Sequence, residues 1–243
     1  MATSITPARR TQRLPALDAE PEDGHVPSRA VTDAARTAAR AALDRGETHY
    51  TDRPGIVPLR RAAATALSRH RATALAENDV VITCGVTEAR FVAIQKLAET
   101  SDHTVVALAH PERVEGACVI RGCQLKGPDA AVDDRVVLYV PPEADADAVE
   151  RWTTRATTEG WPIIHEVNDV HEPSLATPGA GDLTVTLGDL AAPYGAEAWR
   201  VGFLAAPNVS SGPLRDFKQA LTLCTTNVSQ WGTLAFFEED NAS

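Results

Sequence analysis

The chain has 243 residues, of which 44% are hydrophobic and 23% are charged, a composition typical of a soluble globular protein with one main domain. The formal net charge of −10 disfavours a nucleic-acid partner, because binding to phosphates requires a basic surface. No apolar run reaches the ~20 residues of a membrane helix, and the N-terminus has no apolar signal segment, so we expect a cytoplasmic protein without a membrane partner.

The N-terminal region divides into an arm and the start of a domain. Residues 1–25 are rich in Pro, Asp, Glu and Thr and lack apolar periodicity, which predicts an extended or disordered arm. The domain is predicted over residues 26–243. Its first helix is expected to begin at the potential N-cap Ser28 and to run to about Asp44, because Gly46 can end it.

Short apolar strands alternate with helices along the rest of the chain. The periodicity predicts helices over residues 59–75, 87–99, 112–121, 144–159 and 214–231. It predicts strands over residues 79–83, 103–108, 135–140, 161–167, 183–187 and 201–205. This alternation is typical of a mostly parallel sheet covered on both faces, so the predicted fold class is α/β, a three-layer α/β/α sandwich.

A strand-to-helix turn near residue 85 is the first candidate for a binding site. The β-branched strand that ends at Thr83 is followed closely by Gly85-Val86-Thr87, which opens a helix. The first amide groups of a helix have no partner within the helix, and together with the helix dipole they bind anions. The turn therefore predicts an anion-binding cup, although plain packing of strand against helix would use the same glycine.

Several segments around this cup resemble those of the fold-type I pyridoxal phosphate (PLP) enzymes, specifically the class I/II aminotransferases. The family's Y-T-x-x-x-G-x-x-x-L-R and V-x-x-x-x-G-x-x-E-A segments are similar to residues 50–60 and 80–89, and its G-W-R-x-G-Y resembles residues 198–203. The resemblance covers roughly residues 13–238. It implies the large domain of an aminotransferase, with the small C-terminal domain missing or reduced, and a homodimer that binds a small molecule.

The residues that carry the family's covalent chemistry are not found. The family's S-x-S-K turn supplies the Schiff-base lysine, but residues 184–200 contain no lysine, and the lysines of the chain are Lys96, Lys126 and Lys218. The family's D-E-x-Y motif, which places a carboxylate against the pyridine nitrogen, corresponds to residues 163–168, where His165 takes the place of the Asp. From these losses we predict no cofactor, because the family's Schiff base cannot form.

The groups that could hold an anion are retained. By resemblance, the predicted anion-binding residues are Gly85, Val86, Thr87, Thr184, Thr186 and Arg200. The predicted catalytic residues are His165 and Glu166, at the end of a strand, and Tyr50, which in the family reaches the partner's phosphate across the dimer interface.

Each of these residues also has a structural interpretation. Arg200 could form an ion pair, Tyr50 could pack at an interface, and Asp189 could be an acid/base group or, as we prefer, a helix N-cap. No metal site is predicted, because the His and Glu spacing after residue 164 matches no standard ligand motif and the cysteines are scattered.

Three functions are compatible with this pattern. The preferred hypothesis is a PLP-independent enzyme of specialised metabolism, a lyase, cyclase or isomerase acting on a small polar or anionic metabolite in the former cofactor cavity. The second is a non-catalytic pseudoenzyme subunit that pairs with an active aminotransferase as a heterodimer. The third, least favoured, is an aminotransferase that binds PLP non-covalently.

Overall fold

The computed structural model describes residues 31–207 and 212–242, so the arm predicted over residues 1–25 and the predicted N-cap Ser28 lie outside the described residues. Within these ranges the helices are α1 Asp33–Asp44, α2 Val57–Ser68, α3 Gly85–Leu97, α4 Glu112–Arg121, α5 Ala146–Glu159, α6 Pro213–Thr222 and α7 Asn227–Ala242. The strands are β1 Val80–Cys84, β2 Thr104–Ala107, β3 Gln124–Lys126, β4 Val136–Val140, β5 Ile163–Val167, β6 Thr184–Asp189 and β7 Val201–Ala205. None of these helices is long and apolar enough to cross a membrane.

The described strands form one seven-stranded sheet in the order β1-β7-β6-β5-β4-β2-β3. Strand β7 runs antiparallel to its neighbours β1 and β6, and the other neighbouring pairs are parallel. The carboxyl ends of β1, β6, β5, β4 and β2 therefore lie at the same edge of the sheet. The predicted α/β class with a mostly parallel sheet is confirmed.

Helices cover both faces of this sheet, and the strand residues alternate between two apolar layers. Ile164 packs in the layer that contains Ile94 of α3, whereas Ile163 packs in the layer that contains Trp152 of α5. Both side chains are fully buried, as expected for strands of a parallel sheet with helices on each side. Burial of the two layers stabilises the fold by about 25 cal/mol per Å² of apolar surface.

Most element positions agree with the sequence, and the differences have local causes. The first helix begins at Asp33 because Thr32 caps it, with Thr32 Oγ1 accepting from the amide of Ala35 at 3.2 Å. The last predicted helix is two helices, α6 and α7, because the backbone leaves the helical region at Leu223, where φ is 63°. Strand β3 was not predicted, since it is a three-residue edge strand with a polar pattern.

Two glycines allow α3 to begin directly against the sheet. Gly85 has φ +75°, a conformation that favours glycine, and it starts the helix immediately after β1. A Cβ atom at Gly202 of β7 would lie 2.5 Å from the backbone carbon of Gly85. The close packing of the α3 N-terminus on β7 therefore requires a glycine at position 202.

We expect the substitution Gly202→Ala to destabilise the protein by about 1–3 kcal/mol, because backbone must move to admit the methyl group. Gly116→Ala in α4 is the matched control, since a Cβ there meets no atom within 4 Å and alanine favours a helix. Urea denaturation of both variants measures the difference. Equal stability of the two variants would contradict the packing described at Gly202.

Candidate functional site

A cleft of about 240 Å³ lies at the carboxyl edge of the sheet, between the ends of β5 and β6 and the N-terminus of α3. Open α/β sheets bind ligands at this edge. The residues that line the cleft are Val86, Arg90, Arg113, Glu166, Val167, Asn168, Asp189 and Ala192. A wider depression of about 950 Å³ lies between α2 and α7, but neither Glu166 nor any residue of the predicted cup lines it.

Glu166 is the central acceptor of the cleft and is only 5% exposed. Arg90 donates from Nε and Nη2 to its two carboxylate oxygens, each at 2.6 Å, and the Tyr139 hydroxyl donates to Oε2 at 2.6 Å. Burial, and then the Glu166 carboxylate, raise the pKa of Tyr139, so its hydroxyl remains a donor. These contacts hold Glu166 in one orientation.

The carboxylate of Asp189 lies beside the predicted anion cup, and it lines the same cleft as Val86. Its Oδ1 accepts from the amides of Ala191 at 2.9 Å and Ala192 at 2.8 Å in the turn before a short 3-10 helix, whose N-cap is Ala191. Burial raises the pKa of Asp189, and the amide donors and Arg200 partly offset that rise. The site therefore disfavours the charged form of Asp189 overall, and the amide donors and Arg200 reduce that penalty.

Arg200 borders the cup. Its backbone is left-handed, with φ 53°, and its Nη2 donates to the carbonyl oxygen of Cys84 at 3.2 Å. A Cβ built on Gly85 would lie 3.6 Å from Asp189 Oδ2 and 3.7 Å from Arg200 Cβ, so all three residues meet at this turn. The predicted grouping of Gly85, Val86 and Arg200 is thus found in the structure.

Three of the predicted site residues, His165, Thr184 and Thr186, lie on the face of the sheet opposite to Glu166 and the cup. Arg71 Nη1 donates to Thr186 Oγ1 at 2.7 Å. Burial lowers the pKa of His165 to about 4, and the positive charge of Arg71 adds to this effect. Thr184 Oγ1 donates to a backbone carbonyl at 2.8 Å. The expectation that His165, Thr184 and Thr186 share one cavity with Glu166 and the cup is wrong, because adjacent residues of a strand point to opposite faces.

Tyr50 does not enter the cleft of its own chain. It lies in the loop before α2 and is 82% exposed. Its predicted role across a dimer interface stays a prediction. Among the described residues, no group of three or more His, Cys, Asp or Glu side chains is placed to hold a metal ion.

The sequence reasoning missed Arg90, Arg113 and Tyr139. Arg90 lies four residues after Val86 in α3, so helical spacing places it on the same face as the cup residue. Tyr139 precedes the end of β4 and alternates onto the same face of the sheet as Glu166. The places of Arg90 and Tyr139 could have been predicted from periodicity alone. Arg113 reaches the cleft only because α4 packs beside it.

The comparisons with known proteins identify relatives of one reaction class. No known family profile matches the chain. The aspartate/prephenate aminotransferase of Thermus thermophilus is 23% identical over 236 residues, which are 86% of this chain and 61% of that protein. The arginine–pyruvate transaminase of Pseudomonas aeruginosa is 27% identical over 201 residues, which are 69% of this chain and 51% of that protein.

Solved structures of aminotransferases have the same fold. The aspartate aminotransferase from Thermus thermophilus with maleate superposes with a TM-score of 0.72 at 21% identity, covering 87% of this chain and 63% of that one. The aromatic aminotransferase from Pyrococcus horikoshii gives 0.75 at 16% identity, covering 88% and 66%. The chain is therefore related to the fold-type I aminotransferases, and it spans about three fifths of the length of the curated relatives it matches.

The prediction that the protein uses no cofactor is wrong, because its relatives are aminotransferases and that fold family works with PLP. The residues of the cleft fit such a group. The N-terminus of α3 borders the cleft at Val86, and Arg200 lies beside Gly85, so backbone amides and a guanidinium are available to a phosphate there. His165 was predicted to replace the family's aspartate. Glu166, the next residue, supplies a carboxylate at the end of β5.

We expect Glu166→Gln to destabilise the protein by about 2–4 kcal/mol, because it leaves the largely buried Arg90 guanidinium without its charged partner. Asp102→Asn is the control, since its ion pair with Arg135 lies on the surface and its loss should change stability little. Thermal and urea denaturation measure both effects. A Glu166→Gln variant as stable as the control would show that the network does not hold the cleft together.

Proposed function

We propose that the protein is a coenzyme-binding relative of the aminotransferases that holds PLP in the Glu166–Asp189 cleft without a covalent bond and does not transaminate alone. The observation that supports this proposal is the segment of residues 184–200. It borders the cleft through Asp189 and Ala192, and it contains no lysine. Without an amine there, the segment cannot form the Schiff base by which the family attaches its coenzyme.

The roles of the residues follow from their positions. The amides at the N-terminus of α3 and the guanidinium of Arg200 would hold the phosphate beside Asp189. Glu166, fixed by Arg90 and Tyr139, would hold the ring nitrogen. When bound, PLP supplies an electron sink for reactions at an amino-acid carbon.

We also propose that the protein works as a cytoplasmic dimer, either with itself or with an active aminotransferase. Tyr50 supports this proposal, because a tyrosine that is 82% exposed offers a large contact area to a second protomer. A partner subunit that carries a lysine would supply the amine that residues 184–200 lack. Co-purification of a lysine-bearing homologue with the tagged protein would favour the mixed dimer.

A second candidate function is an enzyme that acts on a small anionic metabolite in the same cleft. Asp189 favours it, because burial raises the pKa of this carboxyl group and so brings it closer to the range useful for proton transfer. Turnover by the purified protein, lost in Asp189→Asn, would support this function over coenzyme binding alone.

The main proposal is tested by adding PLP to the purified protein. We expect an absorbance change at about one PLP per chain that dialysis reverses, and no amino transfer between common amino acids and 2-oxo acids. After borohydride treatment, peptide mapping should find no stoichiometric adduct on any peptide. A stoichiometric adduct at Lys96, Lys126 or Lys218, or transamination by the protein alone, would refute the proposal, and so would a failure to bind PLP.

Asp189→Asn is expected to tighten PLP binding at neutral pH by at least about 5-fold, because removing one like charge near a phosphate is worth about 1 kcal/mol in water and more in a partly buried site. Burial raises the pKa of Asp189, so its contribution to stability is present at low pH and is lost as the pH rises through that folded-state pKa. The variant should lose this pH dependence. Fluorescence titration and denaturation across pH measure both effects, with exposed Asp182→Asn as the control.

A further inference from the structure

A second guanidinium, that of Arg113, reaches the cleft from α4. Its side chain is 26% exposed, and its Nη1 lies 3.7 Å from Glu166 Oε1. Its main partner is Glu143, to which Nη1 and Nη2 donate at 2.9 Å and 2.8 Å in a two-pronged contact. Arg113 therefore presents its full fork to a carboxylate beside the cleft.

The negative charge of Glu166 is balanced without Arg113. Arg90 already donates to both of its oxygens, and the Tyr139 hydroxyl adds a third short contact. Arg90 and Glu166 are largely buried and balance one another. Glu143 is consequently the carboxylate that balances the positive charge of Arg113.

Glu143 is an exchangeable partner. Its side chain is 45% exposed and lies in the turn that follows β4, where the amide of Ala144 donates to the carbonyl of Pro141 at 3.1 Å. Ion pairs in such exposed positions contribute little to stability, so a competing anion can replace Glu143 without unfolding the site. A ligand carboxylate that replaces Glu143 would keep the Arg113 guanidinium paired with one negative charge.

We propose that Arg113 is the binding site for the carboxylate group of a small-molecule ligand and that Glu143 occupies this site in the free protein. The proposal rests on the proposed function in one respect, since the ligand enters the same cleft. A carboxylate is favoured over a phosphate because the present occupant is a carboxylate with one negative charge that matches the planar fork of the guanidinium.

The experiment measures binding of succinate by calorimetry, in the absence of PLP, with inorganic phosphate and neutral succinamide as comparison probes. Glu143→Gln should tighten succinate binding at least 3-fold, because the internal competitor is removed. Arg113→Gln should weaken it at least 10-fold, and Arg113→Lys should weaken it less. Arg135→Gln is the control, an exposed arginine that pairs with Asp102 away from the cleft.

Tightening in Glu143→Gln separates this role from a purely structural ion pair, for which the variant would bind no better. Unchanged or weaker binding in Glu143→Gln, equal binding of phosphate or succinamide, or unaffected binding in Arg113→Gln would overturn the proposal. Circular dichroism checks that each variant is folded. Because PLP is absent, this result is independent of the PLP titration, and either proposal can fail alone.

Discussion

The cleft depends on one buried carboxylate, that of Glu166. It joins three elements, because its partners come from α3 through Arg90, from β4 through Tyr139 and from α4 through Arg113. A buried carboxylate is costly unless donors surround it, so the sequence that places a glutamate at the end of β5 also has to place donors on its neighbours. The contacts of Glu166 with Arg90 and Tyr139 therefore hold this carboxylate in one orientation.

The second constraint is the alternation of side chains along β5 and β6. It places Glu166 and Asp189 on the face covered by α3, and His165 and Thr186 on the face where Arg71 lies. The polar residues at these strand ends consequently belong to two separate environments. In one, carboxylates meet arginines and backbone amides at an open edge, and in the other a neutral histidine is buried.

The relationship to the aminotransferases gives these features a common interpretation. Under the proposed function, the α3 N-terminus, Arg200 and Glu166 at the end of β5 would bind the coenzyme, whereas the segment of residues 184–200 supplies a carboxylate and no amine. Asp189 beside the α3 N-terminus and Glu143 on Arg113 are alike in one respect, because each is a carboxylate of the chain next to groups that attract anions.

The sequence by itself determined the α/β class, the bounds of α4 and β7, the cup at Gly85 and the absence of lysine from residues 184–200, because these are properties of local periodicity and of residue identity. It could also have separated His165 from Glu166, since a period of two is a local property. Only the tertiary structure decided that Asp189 lies beside Gly85 and that Arg113 and Glu143 meet beside Glu166. Those contacts join residues distant in the chain, and they arise from the order of the strands and from the packing of α3 and α4 on one face of the sheet.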